Sequence, residues 1–224
     1  MWVDDQIMCH SDESFYLKSF VPKSTFVVLG SSNKAETESI LASCRANGID
    51  VLRRYGGGGT VLLYPGCCVV SLGLWVKDRY ENNRYFYEIN QSIIDCLAVQ
   101  IDCFKKLSQD GISDIVFGPR KVAGTSMFRS RNYLLFQASI LVECDQRLIE
   151  EYLAHPSKEP EYRKGRSHRD FLIGLSEISE GVTPSSVSNF LQENLEKNIR
   201  CRLKNDLVPP IEEQIAHIKR KAQV

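Results

Sequence analysis

Nine consecutive residues, Arg53-Arg54-Tyr55-Gly56-Gly57-Gly58-Gly59-Thr60-Val61, set forked cationic donors beside four glycines. Without a Cβ, a glycine enters φ > 0 freely and lets the backbone lie against a ligand. Successive N–H groups in such a turn form a concavity for an anion. Arginine adds fixed charge in a geometry suited to carboxylate or phosphate. The same residues also fit a plain hairpin with a flexible tip and two solvated arginines. An arginine pair one residue from the glycines favours a ligand loop made by Arg53, Arg54, Gly56, Gly57, Gly58 and Gly59. A second group, Gly118-Pro119-Arg120-Lys121-Val122-Ala123-Gly124, places Lys121 at the start of a strand. A lysine there can act as a point charge for phosphate or a growing oxyanion. Gly124 marks close approach of a ligand. Taken alone, this group reads as a hairpin whose Arg120 and Lys121 solvate its tip; a second basic–glycine group in one chain makes the ligand reading its equal.

The elements that must hold these residues read mostly as strands. Residues 60–64 and 67–75 are apolar runs parted by a Pro65-Gly66 turn, so the glycine loop reads as the tip of a strand–loop–strand hairpin. No Lys-Ser or Lys-Thr follows the glycines and no third glycine stands at dinucleotide-binding spacing, which excludes both common nucleotide fingerprints. Further strands are expected at 15–20, 25–29, 101–107, 112–117 and 133–142. Helices are expected at 3–8, 36–46, 146–153, 186–199 and 211–220. The best amphipathic helix spans 81–99, with Phe86, Ile89, Ile93 and Leu97 at helical spacing. Residues 155–169 read as a polar, basic loop. Strands dominate the middle and helices flank them, so the class is α+β.

With 224 residues, 43% of them hydrophobic, the chain can bury a sizeable core. Lysine plus arginine and aspartate plus glutamate each number 28. That balance argues against a bulk nucleic-acid or anionic-membrane binder. No apolar run is long enough to span a bilayer and the N-terminus does not read as a signal peptide. Eight cysteines without a Cys-x-x-Cys pair read as reduced thiols of a cytoplasmic protein, with no metal site. Adjacent Cys67 and Cys68 are expected on opposite faces of one strand.

Several segments, in order, resemble the lipoate–protein ligase family, whose catalytic domain is shared with biotin–protein ligases and octanoyltransferases. They are Val27-Val28-Leu29-Gly30-Ser31-Ser32-Asn33, Arg53 to Val61, Ser113-Asp114-Ile115-Val116, Arg120-Lys121-Val122-Ala123-Gly124-Thr125-Ser126 and Lys164-Gly165. The likeness covers most of residues 3–180. It implies a mixed, largely antiparallel sheet flanked by helices, with residues 1–182 as the catalytic domain. Residues 183–224 would be a helical extension packed on it, with no separate accessory domain. It also implies a two-step reaction, in which lipoate or octanoate and ATP give an acyl-adenylate and a carrier lysine then takes the acyl group. Lys121 would be catalytic. Arg53, Arg54, Asn33, Asp114, Gly124, Gln137 and Lys164 would join the glycines in binding substrate or ATP. Magnesium is expected with ATP, without nameable ligands. The implied partners are lipoyl carrier domains of 2-oxoacid dehydrogenases or the glycine cleavage H protein, and an accessory subunit in place of a missing domain.

The chain departs from the family pattern at two places. Leu62-Leu63-Tyr64 stands where a histidine follows the glycine loop, and Gln137-Ala138-Ser139 stands where His-Gly-Thr is usual. Gln137 either reaches a phosphate or acyl oxygen, or is an inward polar residue satisfied by backbone. The chain begins at the family's first helix, without its usual leading strand. Two other functions remain: an ATP-independent acyltransferase using Cys103 or Cys144, and a member that binds acyl ligand or carrier without turnover.

Overall fold

All nine residues of β5 (Cys67–Trp75) are buried, as befits a strand covered on both faces. The computed structural model, which describes residues 3–222, places it in a six-stranded antiparallel sheet ordered β1-β5-β9-β8-β7-β6. The companions are β1 (Phe15–Phe20), β6 (Leu107–Asp110), β7 (Asp114–Phe117), β8 (Arg120–Ser130) and β9 (Tyr133–Leu141). A smaller sheet pairs β2 (Phe26–Leu29) in parallel with β3 (Asp50–Arg53) and antiparallel with β4 (Val61–Leu63). The architecture is therefore α+β with a mixed, largely antiparallel strand arrangement, as the sequence predicts. Residues 1, 2, 223 and 224, at the outer ends of the expected catalytic domain and extension, lie outside the described residues.

Side chains along β5 alternate between faces. Cys68, Val70, Leu72 and Leu74 enter the main core, whereas Cys67 joins a cluster on the opposite face. The main core is closed by α4 (Asn82–Gln100), which buries Tyr85, Ile89, Ile93 and Leu97 in helical spacing. It is closed equally by α8 (Pro184–Arg202), whose Val187, Leu191, Leu195 and Ile199 are wholly buried in that core. Gln192 of α8 also grips the edge strand β1, accepting from Ser19 N–H at 2.7 Å and donating to the Leu17 carbonyl at 3.3 Å. A second helix pair, α1 (Val3–Cys9) and α9 (Glu212–Lys221), packs Val3, Ile7, Met8 and Ile218 against Trp75 and Tyr133.

Three local expectations change. The helix expected over 36–46 is two, α2 (Ala35–Glu38) and α3 (Leu41–Ala46). Ser39 between them is extended and bridges Leu153, and Ile40 N–H donates to the Tyr152 carbonyl at the end of α5 (Gln146–Tyr152). Residues 101–106 form no strand: Asp102–Lys106 is a 3₁₀ turn with Phe104 buried in the core, and the strand there, β6, begins only at Leu107. The glycine loop is not a hairpin tip, because β2 lies between β3 and β4. The basic stretch 155–169 contains a 3₁₀ turn at Glu161–Arg163 and leads into α6 (His168–Phe171) and α7 (Leu175–Ile178). Among the described residues no helix is long and apolar enough to cross a membrane.

Candidate functional site

Because β3 and β4 flank β2, the segment joining them must cross the end of β2. Gly30 stands at that crossing: a Cβ there would lie 2.2 Å from the Gly58 carbonyl oxygen. Gly58 itself has φ +93°, a conformation glycine adopts without strain. The arginines hold this crossing. Arg54 is 7% exposed and donates to the carbonyls of Gly57 (2.8 Å) and Gly59 (2.7 Å). Arg53 gathers the carbonyls of Gly30, Ser31 and Asn33 at 2.8–3.1 Å. Both were expected to present their donors to phosphate or carboxylate; the structure turns Nε and Nη2 of Arg54 and Nη1 of the exposed Arg53 onto backbone. Burial depresses the Arg54 pKa to about 10, against the pull of Asp4, so the side chain keeps its charge at neutral pH. The Gly57, Gly58 and Gly59 N–H groups find no acceptor among the described residues. The Gly57 and Gly59 carbonyls are committed to Arg54 while these N–H groups are not, as in a backbone anion nest.

Gly58, Gly59, Asn33 and Arg54 line a cavity of about 710 Å³ whose walls come from both sheets. Across it stand Asp114, Lys121, Gly124 and Gln137. Gly56 packs on β8, where its missing Cβ leaves room for Ser126 Oγ, and Gly57 faces open space away from the cavity lining. Asn33 donates to Thr60 Oγ1 at 3.1 Å, tying the turn after β2 to the loop.

Lys121 reaches the cavity through a β-bulge. Opposite β7, Lys121 pairs with Val116 and Ala123 with Ile115, leaving Val122 as the extra residue. Val122 and Ala123 both enter the main core. The added residue therefore brings Lys121 and Gly124, three apart, onto one face. The lysine lies across that glycine, with Nζ 3.0 Å from where a Cβ would sit. Nζ pairs with Asp114 Oδ1 at 2.8 Å, and Tyr162 O–H donates to Asp114 Oδ2 at 2.8 Å. Burial and the adjacent Asp114 both raise the Tyr162 pKa, so it remains a donor. An ammonium has three donors, and two of those on Lys121 remain for a ligand.

Gln137 Nε2 donates to Asp4 Oδ1 at 2.7 Å, and Asp4 Oδ2 accepts from Tyr55 N–H at 2.9 Å. The partner of Gln137 is thus a buried carboxylate, where the sequence left a choice between substrate oxygen and backbone. Asp4, from α1, carried no sequence signal beyond its place in a helix's first turn.

The basic segment closes one side. Lys158, Arg163 and His168 line the cavity, and Lys164 does not. Lys164 has φ 53° and ends the 3₁₀ turn facing solvent, so its neighbour takes the place expected for it. Arg163 is 4% exposed, stacks on Phe171 at 4.7 Å, and has Nη2 buried with no partner among the described residues. Arg166 staples the segment down, donating to the carbonyls of Pro119, Tyr162 and Arg163. His168 has its pKa lowered to about 4, first by burial and then by Arg163 and His155, and is neutral at pH 7. Of the cysteines, only Cys67 lines the cavity, and burial pushes its pKa up to about 12. Cys144 lies outside that cavity and is likewise held at about 12 by burial. Among the described residues no three potential metal-ligating side chains converge.

The glycine loop and the bulge-presented lysine thus face one cavity between the two sheets. The chain belongs to the lipoyl protein ligase A/B catalytic domain family, whose model matches residues 4–196. It is 28% identical over 184 residues to the inactive lipoate–protein ligase 2 of Plasmodium falciparum, covering 66% of this chain and 47% of that protein. It thus spans about half the length of that relative. The bipartite lipoate–protein ligase of Thermoplasma acidophilum, solved with its E2 lipoyl domain, superposes with a TM-score of 0.72 at 21% identity, over 97% of this chain and 84% of that one. A lipoate–protein ligase A bound with ATP superposes with a TM-score of 0.70 at 21% identity, over 97% and 86%. These two likenesses show the fold.

Proposed function

We propose that the chain is a lipoate–protein ligase that activates lipoate, or octanoate, with ATP and passes the acyl group to a carrier lysine. The observation that carries this is the placement of Lys121 Nζ over Gly124, with donors to spare, across one cavity from the N–H groups of Gly58 and Gly59, which are unpaired among the described residues. Both steps move negative charge past one point. The carboxylate first attacks the α-phosphate and pyrophosphate leaves. The amine then attacks the acyl carbon, whose oxygen becomes an oxyanion, and AMP leaves. A fixed ammonium stabilises both transition states without reorganising. Arg163 and Lys158 add positive charge on the cavity wall for phosphate, and Val28, Leu63, Val69 and Ala138 give the acyl chain an apolar bed. Of the carboxylates lining the cavity, Asp114 is engaged by Lys121 and Tyr162, Glu38 by Ser157, and Glu159 by Gly165 N–H, His155 and Arg163. Magnesium would therefore ride on the phosphates and its own waters, and no step here runs through it.

A thiol-dependent transferase is disfavoured because the one cavity thiol, Cys67, is protonated at neutral pH. A member without its own adenylation step is the second reading, favoured by the inactive Plasmodium relative and by the bipartite Thermoplasma ligase. In that case an accessory subunit supports the first step and a lipoyl carrier domain receives the product. ATP–pyrophosphate exchange measured with lipoate, octanoate and biotin separates these. Exchange with lipoate or octanoate supports the ligase, and none with any acid contradicts it.

A further inference from the structure

Gln137 lies in a polar row across the large sheet, paired with Ser71 of β5 on one side and Ser126 of β8 on the other. Among the described residues neither hydroxyl bonds to it, and Ser71 Oγ is buried without any partner. The one partner Gln137 has is Asp4, which is wholly buried and takes its side-chain N–H. Asp4 Oδ2 is already filled by Tyr55 N–H. Burial pushes the Asp4 carboxyl up, and the hydrogen bonds from Tyr55 and Gln137 and the Arg54 charge oppose that and favour the carboxylate; with it ionised, turning the amide over would set two acceptors face to face at 2.7 Å. The amide is therefore held one way, with Oε1 left as an acceptor on the cavity wall.

An acceptor at that place does nothing for phosphates or a carboxylate, which only accept hydrogen bonds themselves. It suits a ligand that donates. Gln137 stands two residues along β9 from Ser139, the partner of Gly124 over which Lys121 lies. Two residues of strand span roughly 7 Å, so the acceptor sits beside the point where Lys121 would hold the acyl oxygen.

We propose that Asp4 is a positioning residue for acyl transfer: it orients Gln137 so that Oε1 accepts a hydrogen bond from the primary amine attacking the acyl carbon. This rests on the ligase reading. The nitrogen lone pair forms the C–N bond, and the bond from acyl carbon to phosphate oxygen breaks, its electron pair leaving with AMP. The nitrogen's extra proton passes to the released phosphate or to water. Gln137 takes no proton; its hydrogen bond aims the lone pair.

The test is single-turnover transfer from preformed lipoyl-adenylate to a lipoyl domain, with ATP–pyrophosphate exchange and melting temperature measured alongside. The variants are Asp4→Asn, Gln137→Ala and the pair combined. In Asp4→Asn the new amide accepts from Tyr55 and offers its NH₂ to Gln137, which must then turn over. Each single variant is expected to slow transfer about tenfold, the scale of one hydrogen bond. Exchange should stay within about twofold, and the double variant should be no slower than either, since the two act as one unit. Unchanged transfer, additive losses, or a parallel fall of both half-reactions and melting temperature would overturn the proposal. A raised KM for ATP with normal transfer would overturn it too, by assigning the acceptor to a ribose hydroxyl. Because transfer starts from preformed adenylate, absence of exchange in the unaltered chain contradicts the ligase reading without altering this comparison.

Discussion

At the residue scale, Lys121 keeps donors free on the cavity wall, whereas Arg54 and Nη1 of Arg53 spend theirs on backbone carbonyls. Of the cysteines, only Cys67 lines the cavity, and burial holds its thiol protonated. Cys103→Ser and Cys144→Ser are each expected to retain ATP-dependent lipoylation, and mass spectrometry should find no acyl-thioester; trapping one would move the protein to the transferases. His168 yields a pH dependence with a definite sign. Its folded pKa of about 4 lies below the ordinary 6.5, so the folded chain binds fewer protons than the unfolded one between those values. Its contribution to stability is complete above about pH 6.5 and falls as the pH drops towards 4. Denaturant midpoints for the unaltered chain and His168→Gln should converge over that interval; parallel curves would show that the ring is not desolvated. Which residues carry charge at the site was readable from type and spacing. Which way a guanidinium turns was not, because that depends on carbonyls from Val28 to Asn33 that only the crossing of β2 brings near.

At the element scale, most strands and the long helices were readable from period; β3, β6, the bulge and the crossing were not. Alternation alone puts Lys121 and Gly124 on opposite faces; the extra residue Val122 reverses that, and no local pattern marks it. Likewise, 60–64 and 67–75 read as one hairpin, whereas β4 and β5 belong to different sheets. The glycine loop is correspondingly uneven in what it tolerates. Gly57 has no positive φ, and a Cβ added there would meet nothing within 4 Å. Gly57→Ala should therefore keep full stability and the full rise in melting temperature with lipoate and ATP. Gly58→Ala must hold φ near +93° with its Cβ 3.2 Å from Arg54 Nη2. It should lose about 1–3 kcal/mol and most of the ligand-induced shift. Equal thermal melts for the two variants would show that the loop is a free tip and not a wall of the site.

At the scale of the whole molecule, the C-terminal third is joined to the site and to the core. Helix α8 fills the main core with four wholly buried side chains. Helix α9 reaches the glycine loop directly, where Tyr55 O–H donates to the Lys221 carbonyl at 2.6 Å. The amphipathic pattern of 186–199 made a helix readable; its membership in the core depends on its fit to β1 and α4, which no periodicity encodes. Both sheets and the segment 153–172 supply the walls of one cavity, with Lys121 among its lining residues. The most direct measurement is therefore the rate of acyl transfer from preformed lipoyl-adenylate to a lipoyl domain by Lys121→Ala against the unaltered chain. We expect a fall of about 10²–10³-fold at an unchanged melting temperature, and transfer at the unaltered rate would contradict the assignment of this cavity as the catalytic site.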